Sequence, residues 1–259
     1  MLDRARESEL QRLTAPAPNL EPAPRRDVTL LTVVHGWKAD AERWLLSVFT
    51  HCHRDFEALI VDNSADTRIA AWLDSRTAER LRVIRLEPVA GFAAAVNAGI
   101  EAAAGDVCIL FDPGIELTGD AVTPLAATLN DPAVMVAGPY GLRGKPTMKD
   151  FEEHPGPDVD AVEGYCMAFR RSDAIAVGGL DPRFRFYRIA DIDFSFRLRD
   201  HGGRARVVPH LPLRRHEHRL WEATSEQERE RLSRRNLYRL LDRWRTRDDL
   251  LVGRGATAQ

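Results

Sequence analysis

The chain has 259 residues, 44% of them hydrophobic, which suits one large α/β domain or two small ones with a sizeable core. Its 37 basic and 39 acidic residues leave a formal charge of -2, so no overall field favours nucleic acid or an anionic membrane, and any basic patch must be local. Cys52, Cys108 and Cys166 lie far apart without C-x-x-C spacing, which argues against a disulfide framework or a structural zinc site and fits a reducing cytosol.

The N-terminus, MLDRARESELQRL, is charged where a signal peptide would be apolar, and no run of about 18 apolar residues occurs; the expectation is a cytoplasmic protein without a membrane span. Residues 1–26 join a short amphipathic segment (Leu2, Leu10, Leu13) to a Pro/Ala linker whose prolines lack a donor and fix φ, and read as an arm before the domain. Val28 to Val34 is a buried strand, and Asp40 stands at an N-cap position ahead of Trp44, Leu45, Val48 and Phe49 at helical spacing. Ala58 to Val61 is a second strand, ending in the polar turn Asp62-Asn63-Ser64-Ala65-Asp66 before a helix with Ile69, Ala70 and Trp72. Leu81 to Leu86 is a third strand; Gly91 introduces an Ala-rich helix, Phe92 to Ala103, which Gly105 closes. The run Val107 to Phe111 then delivers Asp112 into a Pro-Gly turn, at the carboxyl end of a strand, where ligands bind in open α/β sheets. The alternation predicts a largely parallel sheet with helices on both faces.

The second half is less regular. It reads as a helix at Ala121 to Leu129, a strand at Val134 to Ala137, a long Gly/Pro-rich loop from Gly141 to Pro157, and a strand from Ala161 to Phe169. Ser172 caps a short helix ending at Gly178-Gly179, Asp191 precedes another that ends at Gly202-Gly203, and Arg204 to Val208 is a strand. Ser225 to Glu228 form a capping box that opens a terminal helix through Trp244.

In order, the strand Leu30 to Val34, Ile60-Val61-Asp62-Asn63-Ser64, GFAAAVNAGI from Gly91, Ile109-Leu110-Phe111-Asp112, Gly178-Gly179-Leu180-Asp181, Asp191-Ile192-Asp193 with Arg197 and Gly202, and a histidine at 216 or 218 resemble family 2 glycosyltransferases. The wording of VDNS and GFAAAVNAGI is most similar to the rhamnosyltransferase-type branch. The resemblance implies a single α/β domain of the GT-A type over residues 27–218, with the arm at 1–26 and a C-terminal helical extension at 219–259. It also implies an inverting transfer of a hexosyl or deoxyhexosyl group from a nucleotide sugar, UDP- or dTDP-linked, to a hydroxyl acceptor that is a glycan, a lipid-linked sugar or a small molecule.

Displacing a nucleoside diphosphate needs charge stabilisation on the leaving group and a base for the acceptor hydroxyl. The resemblance assigns Asp191 as that base, although Ala190 stands where the family's E-D motif has glutamate. It assigns Val34, His35, Gly36, Asp62, Asn63, Gly91, Asn97, Phe111 and Asp112 to the nucleotide. A divalent cation, Mn2+ or Mg2+, falls to Asp112 with His216 and His218; Gly114, which cannot ligate metal, replaces the second D-x-D aspartate, and that leaves open weaker cation binding, recruitment of Glu116, or work without tight metal binding. Plainer readings stand beside these. Asp112 and Asp62 also suit turns, Asp191 an N-cap, Asp193 an i,i+4 bridge to Arg197, and Asn97 a solvent-facing position. The Leu and Arg pattern of the terminal helix suits either packing or peripheral contact with the inner face of a membrane bearing a lipid-linked acceptor. The losses at Gly114 and Ala190 keep a second function alive, a non-catalytic relative that binds nucleotide or glycan as a partner or scaffold. A dinucleotide-binding dehydrogenase is disfavoured because HGWKAD, not G-x-G-x-x-G, follows the first strand.

Overall fold

The structure, a computed structural model, describes residues 25–76, 78–87 and 89–253, so the amphipathic segment assigned to Leu2, Leu10 and Leu13 lies outside the described residues. The first half alternates as predicted: β1 (Arg26–Val34), α1 (Lys38–His51), β2 (Phe56–Asp62), α2 (Thr67–Asp74), β3 (Leu81–Arg85), α3 (Phe92–Ala102) and β4 (Gly105–Phe111). The second half contains β5 (Ile115–Leu117), α4 (Val122–Thr128), β6 (Val134–Gly138), β7 (Gly141–Gly144), β8 (Phe151–His154), β9 (Asp158–Val159), β10 (Ala161–Val162) and β11 (Cys166–Arg170). It continues through α5 (Arg171–Ala176), α6 (Ala190–Asp200), β12 (Arg204–Val207), β13 (Leu213–Arg215), α7 (Arg219–Ala223) and α8 (Glu226–Trp244).

The central sheet has the order β3-β2-β1-β4-β11-β6-β12-β9. Strands β3, β2, β1 and β4 run parallel, β11 is antiparallel to both its neighbours, and β6 and β12 are again parallel to each other. Successive residues of the parallel strands feed opposite faces, as the two-residue period of a strand requires. Leu30, Ile60, Ile109 and Phe111 pack with Trp44, Leu45 and Val48 of α1 on one face. Leu31, Leu59, Val61 and Leu110 pack with Val96 and Ile100 of α3 and with Phe194 and Leu198 of α6 on the other. Gly99 lets α3 lie close, since a Cβ there would stand 2.4 Å from Leu31 Cδ1.

Several local expectations are corrected. The predicted loop from Gly141 to Pro157 contains an antiparallel hairpin, β7 with β8. The strand predicted over Ala161 to Phe169 is broken at Glu163-Gly164-Tyr165 into β10 and β11. Asp40 does not cap α1, which starts two residues earlier; it is buried and pairs with Arg43 and Arg219. Ser172 lies inside α5 rather than at its cap. Asp191 lies in the first turn of α6, whose cap is Ile189, so the plain N-cap reading fails. Asp193 does not bridge to Arg197: it accepts a hydrogen bond from Trp244 Nε1 at 2.8 Å, while Arg197 donates to the carbonyls of Gly179 and Val177.

Helix α8 packs through its apolar stripe. Leu240 and Trp244 are buried with Ile192 and Phe196 of α6, and Trp244 stacks on Phe196 at 5.7 Å. Each such burial contributes about 2 kcal/mol, so the stripe is spent on the chain's own core. Among the described residues no helix is long and apolar enough to cross a membrane. One polar residue of α8 reaches the loop before α6: Asn236, buried, donates from Nδ2 to the carbonyls of Phe186 at 2.9 Å and Arg188 at 2.8 Å. Asn236→Ala strands both carbonyls and is expected to lower stability by about 2–3 kcal/mol, read from the shift in urea midpoint at unchanged slope.

Candidate active site

At the carboxyl ends of β1 and β4 lies a cavity of about 640 Å³, which extends past the start of α6 to the inner side of α8. Its position follows from the sheet: β11 enters beside β4 with Cys166 opposite Phe111, and the Asp112 amide donates to the Tyr165 carbonyl at 3.0 Å. The end of one strand and the beginning of its neighbour are thereby fixed at one spot.

Asp112 is held on both oxygens. Oδ1 accepts the Gly114 amide at 2.7 Å, and Oδ2 lies 3.1 Å from His218 Nε2. The imidazole of His218 caps α7 with Nδ1 accepting from the Trp221 amide at 3.3 Å, which leaves the proton on Nε2 facing the carboxylate. Its ring is clamped, stacked on Tyr187 at 4.0 Å and met edge-on by Tyr165 at 5.7 Å. Gly114 is required for this approach. A Cβ there would stand 2.8 Å from Asp112 Oδ1 and 3.1 Å from the Glu217 carbonyl, so the aspartate of a full D-x-D motif would displace the Asp112 carboxylate and press on the 216–218 segment. His216 and Glu116 form a separate pair, 2.7 Å apart, on the β5–β13 ribbon and off the cavity wall. His218 and Asp112 are thus brought together, and His216 and Glu116 are not brought to them.

Asp191 lines the same cavity and is partly exposed to it. Its Oδ2 accepts the Gly164 amide at 2.8 Å and its Oδ1 the Ile192 amide at 2.9 Å. Burial nevertheless dominates those amides and raises its pKa above the ordinary aspartate value. The preceding Ile189 has φ of 71°, a left-handed conformation that is an outlier for a β-branched residue and costs on the order of 1–3 kcal/mol. The Asn236 clamp on Phe186 and Arg188 holds the chain just before that turn. Ala190 is 1% exposed and packed in the core, where a glutamate would place a carboxylate among apolar side chains.

Of the residues assigned to the nucleotide, His35, Gly36, Phe111 and Asp112 line the cavity, as does Trp37, which is exposed with φ of 57°. The His35 ring is kept neutral, its pKa lowered to about 4 by burial against the opposing pull of Asp112. Asn63 is fixed by Ala90, accepting its amide at 2.8 Å and donating to its carbonyl at 3.1 Å, and its Nδ2 lies 3.4 Å from His35 Nδ1. That leaves the imidazole proton on Nε2, which is buried and has no protein partner among the described residues. Val34, Asp62, Asn63, Gly91 and Asn97 are off the cavity wall. Asp62 is 2% exposed, with Ser64 on one oxygen and Arg85 Nε at 3.0 Å on the other. Gly91 abuts Arg185, and Asn97 is half-buried, its amide making two 2.8 Å hydrogen bonds with the Leu180 backbone.

Residue-level reading misses Glu163, Tyr165, Tyr187 and Arg188, all on the cavity wall. The signal for the first is a charged residue interrupting the apolar run from Ala161 to Phe169. Glu163 lines the cavity, its carboxyl pushed up to about 7, chiefly by burial and then by the charge of Asp191, against Arg215. Below about 4.5 the proton is held in both folded and unfolded chains; as pH rises toward 7 the unfolded chain releases it first, so folding is increasingly penalised. Glu163→Gln is therefore expected to stabilise the fold at pH 8 by about 2–3 kcal/mol relative to wild type, with the two curves converging near pH 4.5 in urea titrations.

The sequence profile of glycosyl transferase family 2 matches residues 31–192. No curated protein matches the chain by sequence. Among solved structures, it is similar to GalNAc-T7 with UDP, GalNAc and Mn2+ (TM-score 0.69, 19% identity, 85% of this chain and 48% of that one). It is also similar to the mannosyltransferase PcManGT from Pyrobaculum calidifontis in complex with GDP-Man and Mn2+ (0.55, 19%, 80% and 61%). A third is residues 1–349 of TarS from S. aureus (0.56, 16%, 86% and 74%). The chain spans about half the length of the first of these and about three-fifths of the second. The likeness of fold agrees with the profile, which covers more than half of the chain and includes both Asp112 and Asp191: the chain belongs to glycosyl transferase family 2.

Proposed function

We propose that the protein is an inverting glycosyltransferase that moves a sugar from a nucleoside diphosphate, UDP or dTDP, to a hydroxyl acceptor, with Asp191 as the base. The observation that carries this reading is one cavity wall shared by Asp112 at the end of β4 and Asp191 at the start of α6. Asp191 takes the proton of the acceptor hydroxyl as its oxygen bonds the anomeric carbon from the face opposite the diphosphate. The bond from that carbon to the phosphate oxygen breaks, and its electron pair leaves with the diphosphate. A carboxylate whose pKa is raised by burial is a stronger base for that step than an ordinary aspartate.

One carboxylate oxygen and one imidazole nitrogen 3.1 Å apart fit the donor set of a divalent cation, Mn2+ or Mg2+, which both the GalNAc-T7 and PcManGT complexes carry in the manganese form. Asp112 and His218 would hold it, His218 after giving up its Nε2 proton and with it the Nδ1 cap on the Trp221 amide, and the cation would supply positive charge against the departing diphosphate. Among the described residues no group of three or more His, Cys, Asp or Glu is placed to hold a metal ion. Neutral His35, with an uncommitted Nε2–H beside Asp112, suits an oxygen of the bound nucleotide.

UDP or dTDP with Mn2+ is expected to raise the melting temperature whereas NAD does not, and Asp112→Ala to abolish the metal-dependent part of the shift. Stabilisation by NAD alone, or an unchanged shift in Asp112→Ala, would count against the assignment.

Asp191→Asn keeps an oxygen for the Gly164 amide but cannot take a proton. It should retain donor affinity and lose transfer by about 10²–10⁴-fold. Both are measured on one preparation; near-full transfer would remove Asp191 as the base.

A further inference from the structure

We infer that Glu163 recognises the acceptor by taking the hydroxyl next to the attacking one, and hence that the acceptor is a vicinal diol, a sugar, rather than a lone alcohol. The inference rests on the transferase reading above and adds to it a second carboxylate that motif comparison does not assign.

Glu163 and Asp191 are distant in the chain but adjacent in the cavity. The Gly164 amide donates to Asp191 Oδ2 at 2.8 Å, and a Cβ on Gly164 would stand 3.3 Å from that of Asp191. The Glu163 backbone is pinned by its own amide donating to the Tyr140 carbonyl at 2.8 Å, so the side chain is presented from a fixed point. Its side chain is only 13% exposed, yet the closest cation, Arg215 Nη1, is 3.9 Å from Oε2, outside hydrogen-bond range. The Arg215 guanidinium is held against the Tyr165 ring at 3.5 Å. The charged groups facing Glu163 are Asp191 from α6 and Glu153 from β8, which repel it, with Arg215 from β13 and Arg188 before α6, which attract it. Burial and Asp191 win, and its pKa rises to about 7.

A desolvated carboxylate beside a second one, with only a 3.9 Å ion pair to offset it, costs stability, the pattern expected of a group kept for a ligand. Two adjacent acceptors are met by two O–H donors on neighbouring carbons. The hydroxyl at Asp191 gives up its proton; the one at Glu163 keeps its proton and fixes which oxygen of the sugar attacks. A serine side chain or a polyprenol would offer only one donor and leave Glu163 desolvated without a partner. The same arrangement explains how the site tolerates Ala190: the second acidic group comes from the break between β10 and β11 instead of from the residue before Asp191.

The test loads the protein with UDP and Mn2+ and adds the methyl glycosides of glucose, galactose, mannose and rhamnose, with cyclohexanol as the single-hydroxyl probe, followed by saturation-transfer NMR. At least one glycoside should bind wild type, cyclohexanol should not compete with it, and Glu163→Gln should weaken it about tenfold with UDP affinity unchanged. The wild-type glycoside affinity should rise between about pH 6 and pH 8 as Glu163 ionises, and that of Glu163→Gln should stay flat. Glu163→Asp should recover part of the loss, which a purely structural defect would not allow. Equal binding by wild type and Glu163→Gln, equal pH dependence in both, effective competition by cyclohexanol, or uptake of UDP without any of the four glycosides would each overturn the inference. Loss of UDP binding by wild type would instead overturn the transferase reading on which it rests.

Discussion

The site depends on one reversal of direction. Had β11 run parallel to β4 like β1, β2 and β3, the chain entering it would have come in at the opposite edge of the sheet. Because it is antiparallel, with Cys166 opposite Phe111, the residues leading into it, Glu163 to Tyr165, meet Asp112 where β4 ends. The hydrogen bond from the Asp112 amide to the Tyr165 carbonyl closes that junction, and the Gly164 amide carries it on to Asp191. Three segments distant in sequence are thus joined, the first two through backbone groups set by the sheet and the third through the Asp191 carboxylate. Side chains placed in this way need no ligand to assemble them, which is what preorganised charge stabilisation requires.

Gly114 shows why a missing motif residue is not simply a lost function. The aspartate expected there would bring a second carboxylate but would also push against the Asp112 carboxylate and the Glu217 carbonyl. With glycine, the His216 amide can donate to the Gly114 carbonyl at 2.8 Å, and the chain closes over the turn. That closure sets His218 on Asp112, between the rings of Tyr187 and Tyr165. A carboxylate contributed from within the turn is exchanged for an imidazole from across it. On the proposed reading, an Asp112 and His218 donor set would be less negative than two aspartates, and more of the diphosphate's charge would fall to the cation.

Much of this is legible in the sequence, and what is not has a common cause. The β-α alternation through Phe111 and the places of Asp112 and Asp191 follow from hydrophobic period, turn residues and motif order, all local signals. The hairpin β7–β8 reads as a loop because Gly141, Gly144 and Pro146 give its first strand the composition of a turn-rich linker, and only pairing with Phe151–His154 makes it a ribbon. Asp40 and Asp193 invite a reading through their sequence neighbours, but each is committed to a residue far along the chain, Arg219 and Trp244. Asn97 looks like a ligand residue because it is polar on an apolar helix; its partner is the Leu180 backbone, which no local pattern predicts. Glu163 escapes notice for the complementary reason: its surroundings are the cavity and Asp191, and within its own segment it is only an interruption.

The helix that follows the family match is part of the site's construction. The match ends at Ile192, two residues before the buried Phe194, yet the conformation of the segment leading into Asp191 is set from beyond it. Ile189 holds a backbone conformation that its branched side chain disfavours, and such strain persists only where the surroundings impose it. Asn236 binds the carbonyls of Phe186 and Arg188, and Trp244 of the same helix binds Asp193. Together with the burial of Leu240 and Trp244 these contacts outweigh a strain of on the order of 1–3 kcal/mol and keep the first turn of α6 wound from Ala190. Without them the loop would relax toward an ordinary entry, and Asp191 would lose its alignment with Gly164 before any catalytic group had been altered. The terminal helix therefore acts through the backbone on Asp191, the base of the proposed reaction, at a distance from its own side chains.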